Sequence, residues 1–137
     1  RVAMILIVGD AFARPLADNP AAQLAVAEAA ATLKELHLVF YDQLGEMMEF
    51  AVSGEKIPLE KRVQWRYETS RVGPKCVAAI DNLFKAAGGS AIYETNPLLR
   101  YFNDVHAAEA HYVNNPHKPA QNFGAVMLGA SNTDFFI

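Results

Sequence analysis

This sequence is poor in the features that define several protein classes. It has one cysteine, Cys76, in 137 residues, which excludes an intrachain disulfide framework and any multi-cysteine metal or iron–sulfur site. It has no surplus of positive charge. Lys and Arg total 12 against 15 Asp and Glu, for a net charge of −3, whereas nucleic-acid-binding domains carry a basic surplus. No apolar run approaches the ~20 residues needed to span a bilayer as a helix; the longest, Val2 to Val8, has seven. Glu-x-x-His, the pattern of bundle di-iron sites, is absent. Low apolar content is absent too: at 52% hydrophobic and 20% charged, the chain is not a disordered one.

What remains is one intracellular, soluble domain with a core of its own, since a chain of this size buries roughly 68–70% of its unfolded surface. The chain starts at Arg1 rather than at methionine, which reads as a processed or truncated product. Arg1, the Val2–Val8 run and Ala11-Phe12-Ala13 look like a shrunken signal peptide. The run is short and Gly9-Asp10 interrupts it, so the expectation is a buried element continuing from something upstream. At the other end, Phe135-Phe136-Ile137 is an apolar tail, folded onto its own core or docked on a neighbouring subunit.

Helical periodicity dominates the middle. Apolar positions run Ala22, Val26, Ala29, Leu33, Leu36, Phe40, Leu44, Met47 and Ala51, with gaps of three and four. Asn19-Pro20 is a start signal, with Asn as the cap and Pro in the first turn, and Gly54 is the stop. A second helix is predicted from Ile57-Pro58 to Ala87, kinked or broken at Gly73-Pro74, where proline removes a hydrogen bond. Gly88-Gly89-Ser90 ends it. A third is predicted from Asn96-Pro97 to about Val113, and a short fourth from Lys118 to Leu128, stopped by Gly129. No segment alternates with period two. The predicted fold is all-α, a four-helix bundle.

The unusual residues concentrate between Ala86 and His111. Gly88-Gly89 is first a helix cap, and second a place where backbone can approach a phosphate or a flavin edge. His106 and His111 are five residues apart. On one continuous helix they would point roughly 140° away from each other, so no metal site is expected. Either could be a general base. Cys76 reads as a packing residue, and Trp65 and Tyr67, among Arg62, Arg66 and Arg71, as interface or core.

The run Ala86-Ala87-Gly88-Gly89-Ser90-Ala91-Ile92-Tyr93, then Asn96-Pro97-Leu98-Leu99-Arg100-Tyr101-Phe102-Asn103-Asp104-Val105-His106-Ala107-Ala108, then His111, carries a resemblance. It resembles the C-terminal helical domain of two-component flavin-dependent monooxygenases of the 4-hydroxyphenylacetate 3-hydroxylase and steroid-phenol hydroxylase type, which share the acyl-CoA dehydrogenase fold. The likeness covers about Asn19 to Gly129 and is strongest from Leu83 to His111. It implies that residues 1–137 are a single C-terminal domain of a longer parent whose helical domain and β-barrel come first. It implies a reduced flavin, FMN or FAD, supplied by a separate reductase, a small phenolic substrate, and a homo-oligomer, dimer or tetramer, in the cytoplasm, with no nucleic acid and no membrane. By the same resemblance, Gly88, Gly89, Ser90 and Ala91 approach the flavin, often one held by a neighbouring subunit. His111 faces phenol and flavin as the base, while His106, Arg100 and Asp104 support the structure. Asn103 departs from the pattern, which has Arg before the Asp.

Two other readings compete. The sister acyl-CoA dehydrogenases imply a catalytic glutamate in this region, which would fall near Tyr112. Tyr112 is no carboxylate, and Glu109 is about one turn away. An acyl thioester needs a strong base at that point, whereas a histidine suits a phenol. The chain could also be a stand-alone helical assembly module without activity.

Overall fold

The computed structural model describes residues 14–137, with side chains from Leu16 onward; the apolar run Val2–Val8 and the Ala11-Phe12-Ala13 motif lie outside them. The described residues form α1 (Arg14–Ala17), α2 (Pro20–Ser53), α3 (Leu59–Ser70), α4 (Val72–Ala87), α5 (Pro97–Glu109) and α6 (His117–Met127). Short 3-10 turns cover Gly88–Ile92 and Tyr112–Asn114. No strand occurs among the described residues. The predicted all-α bundle is the fold, with α2, the broken α3–α4 rod, α5 and α6 as its four members.

The predicted start of α2 is exact. The Asn19 side chain accepts the Ala21 N–H at 2.9 Å, with Pro20 in the first turn. Gly54, at φ 72°, closes the helix by donating its N–H to the Phe50 carbonyl. This left-handed conformation favours glycine, because a Cβ would crowd the following carbonyl oxygen. At 34 residues the helix is about 51 Å long. Its first half buries Ala22, Ala25 and Ala29, small residues that let α4 come close. Ala25 and Ala29 join Ile80, Leu83, Ala87, Ala91 and Leu98 in one core cluster. Phe84 of α4 and Phe102 of α5 meet over it, ring centroids 4.4 Å apart.

The second predicted helix is broken, but at Arg71 rather than at Gly73-Pro74. Pro74 lies in the first turn of α4 and has no N–H to give the Ser70 carbonyl four residues back, so the ladder fails upstream of the ring. Arg71 N–H instead makes a tighter bond to Glu68 O, at 3.2 Å, and the buried Ser70 hydroxyl donates to Tyr67 O at 2.6 Å. The break gives the two halves different partners. α4 packs on α2 and α5, and α3 packs on α6, where Tyr67 meets Phe123.

The third predicted helix also needs correction. α5 starts as expected, with Asn96 capping the Leu98 N–H at 3.0 Å. It stops at Glu109, four residues before Val113. The Asn114 side chain donates to Ala108 O at 2.7 Å and takes over a carbonyl near the helix end. The same side chain is pressed against α4, where a Cβ at Gly73 would lie 3.0 Å from Asn114 Cβ. α6 is shifted by one residue from its predicted span.

Glu46 of α2 ties α2 to α3. Its carboxylate accepts bonds from Lys61 and from the indole N–H of Trp65, the latter at 2.8 Å. Those two bonds, Lys61 first, hold the Glu46 carboxyl below its ordinary range, and the Glu46 bond raises Lys61. A depressed carboxyl contributes stability that is complete above its unfolded pKa and is lost as pH falls through the lower folded value. The raised lysine contributes below its unfolded pKa and is lost as pH rises through the higher folded value. The link is therefore whole from about pH 5 to about pH 10. Trp65 is the only tryptophan, so its fluorescence reads the link: emission should hold constant across that window and change below it, and Glu46→Gln should remove the acid transition. Leu98, 1% exposed, tests the core. Leu98→Ala should cost about 2–5 kcal/mol in denaturant unfolding.

Candidate functional site

The glycine segment forms the turn between α4 and α5. Gly88 adopts φ 66° and ψ −156°, a conformation essentially confined to glycine. Gly88, Gly89 and Ser90 are exposed, and beyond the adjoining residues no atom lies within 4 Å of where a Cβ would stand on either glycine. The bare backbone is thus open to a planar ring. Ala91 points the other way, at 0% exposure, and its methyl is part of the core. Asn96 ties the turn to the start of α5, its side-chain N–H₂ donating to Ser90 O at 3.1 Å, and Ser90 Oγ ties it to the end of α4 by donating to Ala87 O at 3.0 Å.

Along α5 the remaining predicted residues separate by face. Arg100 and Asp104 form an exposed pair at 3.8 Å, and Arg100 lies over the Tyr101 ring; such surface pairs contribute little. His106 faces inward. Its Nε2 is 2.9 Å from the Asp81 carboxylate of α4, and its ring rests against Phe102 at 4.3 Å. It is a joint between α4 and α5.

His111 is not on α5. It follows the helix in an extended conformation, φ −68° and ψ 135°, and opens the Tyr112–Asn114 turn. The angular comparison with His106 therefore does not apply. The imidazole is exposed, and its Nδ1 accepts the Val113 N–H at 3.3 Å. A neutral ring with Nδ1 accepting carries its proton on Nε2, and that edge has no partner among the described residues.

The sequence reading missed what secures this turn. Arg66 of α3 donates from its guanidinium to Val113 O at 3.0 Å and lies 3.9 Å from the Asp134 carboxylate of the C-terminal tail. The tail is itself fixed by buried Asn122 of α6, which donates to Asn132 and accepts the Thr133 N–H, both at 2.8 Å. Phe135 and Phe136 are exposed, with Phe136 near Tyr112. These bonds span 47 and 68 residues, from Arg66 to Val113 and to Asp134, so no local pattern announced them. The clustering of arginines on α3 was the one available signal.

The turn and His111 sit at opposite ends of α5, whose 13 residues span about 20 Å. One flavin ring cannot touch both within one chain. Among the described residues no three His, Cys, Asp or Glu side chains are placed to hold a metal ion, and no helix is long and apolar enough to cross a membrane. Cys76 is half-buried, and burial pushes its thiol pKa up, which makes it a poor nucleophile.

This helical architecture has a family. Residues 6–116 match the acyl-CoA dehydrogenase C-terminal domain, and the chain belongs to that family. The chain is similar to flavin-dependent monooxygenase oxygenase subunits called HsaA. One, from Rhodococcus jostii, is 29% identical over 88% of this chain and 31% of its own length. Another, from Mycobacterium tuberculosis, is 31% identical over 88% of this chain and 30% of its own. The crystal structure of 3-HSA hydroxylase from Rhodococcus sp. RHA1 superposes with a TM-score of 0.82 at 28% identity, over 88% of this chain and 32% of that one. The chain thus spans about a third of the length of these relatives.

Arg66→Ala should free the turn that carries His111. Amide exchange at Val113, Asn114 and Asn115 should rise at least about tenfold, with little change at α5.

Proposed function

We propose that this chain is the C-terminal domain of a flavin-dependent oxygenase that hydroxylates a small phenolic substrate in the cytoplasm, with reduced FMN or FAD delivered by a separate reductase. The observation that carries this reading is His111. It stands in the open at a fixed turn, one ring nitrogen held by the backbone and the other unpartnered, in a chain whose relatives are flavin-dependent monooxygenases.

The residues fit a flavin in part. Gly88, Gly89 and Ser90 offer open backbone for a ring edge, while Ala91 serves by filling the core beneath them. A reduced flavin, when bound, supplies the electrons that activate dioxygen. The protein's part is to set the substrate and keep water out. His111 acts on the phenol oxygen. As a base it would take the phenol proton on Nε2, which needs the tautomer with the proton on Nδ1. The Val113 bond opposes that tautomer, so the ring is better arranged to donate Nε2–H to a phenolate oxygen and stabilise its charge. Either action leaves electron density in the aromatic ring, where hydroxylation needs it. His106, through Asp81, holds α5 to α4 between the two ends, and the exposed Arg100–Asp104 pair on the outer face of α5 adds little to that.

The distance between turn and histidine supports a homo-oligomer, dimer or tetramer, in which the turn of one subunit completes the flavin site of another. The second half of α2 supports it as well. Leu38, Leu44, Met48 and Val52 are all exposed there and fall on one side of the helix, an apolar face of the kind that marks interaction surfaces.

Two outcomes follow. In the natural-length protein, His111→Ala should lower hydroxylation about 10²–10⁴-fold while oxygen still consumes reduced flavin; undiminished hydroxylation would remove His111 from the reaction. Leu38→Asp with Met48→Asp should lower the mass seen by light scattering without unfolding the chain.

A further inference from the structure

Asn122 lies in the middle of α6 and is 4% exposed. A buried amide is costly unless its hydrogen bonds are made. Among the described residues, all three that this side chain makes go to the C-terminal tail. Its Oδ1 accepts the Thr133 N–H at 2.8 Å and the Thr133 hydroxyl at 3.2 Å, and its Nδ2 donates to Asn132 Oδ1 at 2.8 Å. A leucine has the same branched outline and a better helix propensity, so packing alone does not call for an amide here. Nor does the tail repay the amide with buried surface, because Phe135 and Phe136 stand exposed.

The clasp instead gives residues 132–134 one shape. Asn132 Oδ1 also accepts the Asp134 N–H, and Asn132 Nδ2 donates to Asp134 O, both at 3.1 Å. That shape sets the Asp134 carboxylate 3.9 Å from Arg66 Nε. The two side chains are largely withdrawn from water, Arg66 at 17% and Asp134 at 11% exposure, so their attraction is screened less than that of a surface pair. Turned this way, the guanidinium donates from Nη1 to Val113 O at 3.0 Å. Val113 in turn gives its own N–H to His111 Nδ1.

We infer that Asn122 is a positioning residue for His111, on the reading that His111 acts on the phenol oxygen. Through the tail, Asp134 and Arg66, it keeps Val113 where its N–H holds the imidazole. Without the clasp the tail turns out to water, the guanidinium loses the charge that orients it, and the imidazole loses the bond at its one fixed nitrogen. Asn122 itself needs no contact with substrate. Misplacing a reacting group by about 1 Å can cost 10²-fold in rate, so the effect belongs in turnover rather than in binding.

The test compares Asn122→Leu and Asp134→Asn in the natural-length protein. The first removes all three clasp bonds and leaves an apolar side chain to pack α6. The second keeps the tail's own acceptor and removes only the charge facing Arg66. In both, amide exchange read by mass spectrometry at Val113, Asn114 and Asn115 should rise at least about tenfold, with α5 and α6 unchanged. In Asn122→Leu, kcat for hydroxylation should fall about tenfold or more while KM for the phenol moves less than about twofold. Added to His111→Ala, Asn122→Leu should lower kcat by less than about twofold further, because its effect passes through the imidazole. Unchanged exchange at Val113 in both variants overturns the inference. An equal loss of kcat with and without His111 also overturns it, since that is the mark of a merely structural role. Undiminished hydroxylation in His111→Ala removes His111 from the reaction, and the catalytic role of Asn122 with it. An impaired His111→Ala beside an Asn122→Leu that exchanges and turns over like the parent removes Asn122 alone.

Discussion

Pro74 withholds one amide hydrogen, and much of the molecule depends on it. A continuous helix from Leu59 to Ala87 would present one straight face to one set of neighbours. The break at Arg71 lets the first half lean on α6 and the second on α2 and α5. One apolar cluster forms around Leu83, Ala91 and Leu98, and apart from it the Trp65 ring of α3 meets Phe50 of α2. Gly73 completes the joint. The lack of a side chain there lets Asn114 sit against α4, and from that position Asn114 ends α5 and frees His111 from the helix.

The parts of this fold that rest on short-range chemistry were legible in the sequence. Asn19-Pro20 and Asn96-Pro97 start helices because the Asn oxygen reaches an amide two residues on. Gly54 and Gly129 stop them at positive φ. The end of α5 was not legible. Val113 continues the apolar period, and nothing nearby in sequence forbids helix through it; the competitor is a side-chain amide whose position is set by a glycine on another helix. The break at Arg71 was read in kind and misplaced by two residues, because the ring acts on the carbonyl four positions before it.

The candidate site divides the same way. The glycine turn and the histidine were found from a run of residues that are close in sequence, and the fold then holds them at the two ends of α5. The glycine turn is fixed locally, by Asn96 and Ser90, whereas the His111 end is fixed from far off in the chain, by Asp81 through His106 and by Arg66 and the tail. Membership of the acyl-CoA dehydrogenase C-terminal domain family accounts for the helical frame. The proposed chemistry rests on the two ends of α5.

The side chains of α2 change size along its length. Alanines fill the contact at Ala22, Ala25 and Ala29, whereas Leu, Phe, Tyr and Met crowd positions 38 to 48. A rod with a thin end and a thick end behaves as a wedge. At the thin end a neighbouring helix can approach backbone to backbone, and one added methylene there would be felt along the whole axis. At the thick end a neighbour is held off by a layer of flexible side chains, which can repack to meet surfaces of different shape. The helix thus combines a rigid registration against its own chain with a tolerant one against whatever covers it, and substitutions should be accepted unequally at its two ends.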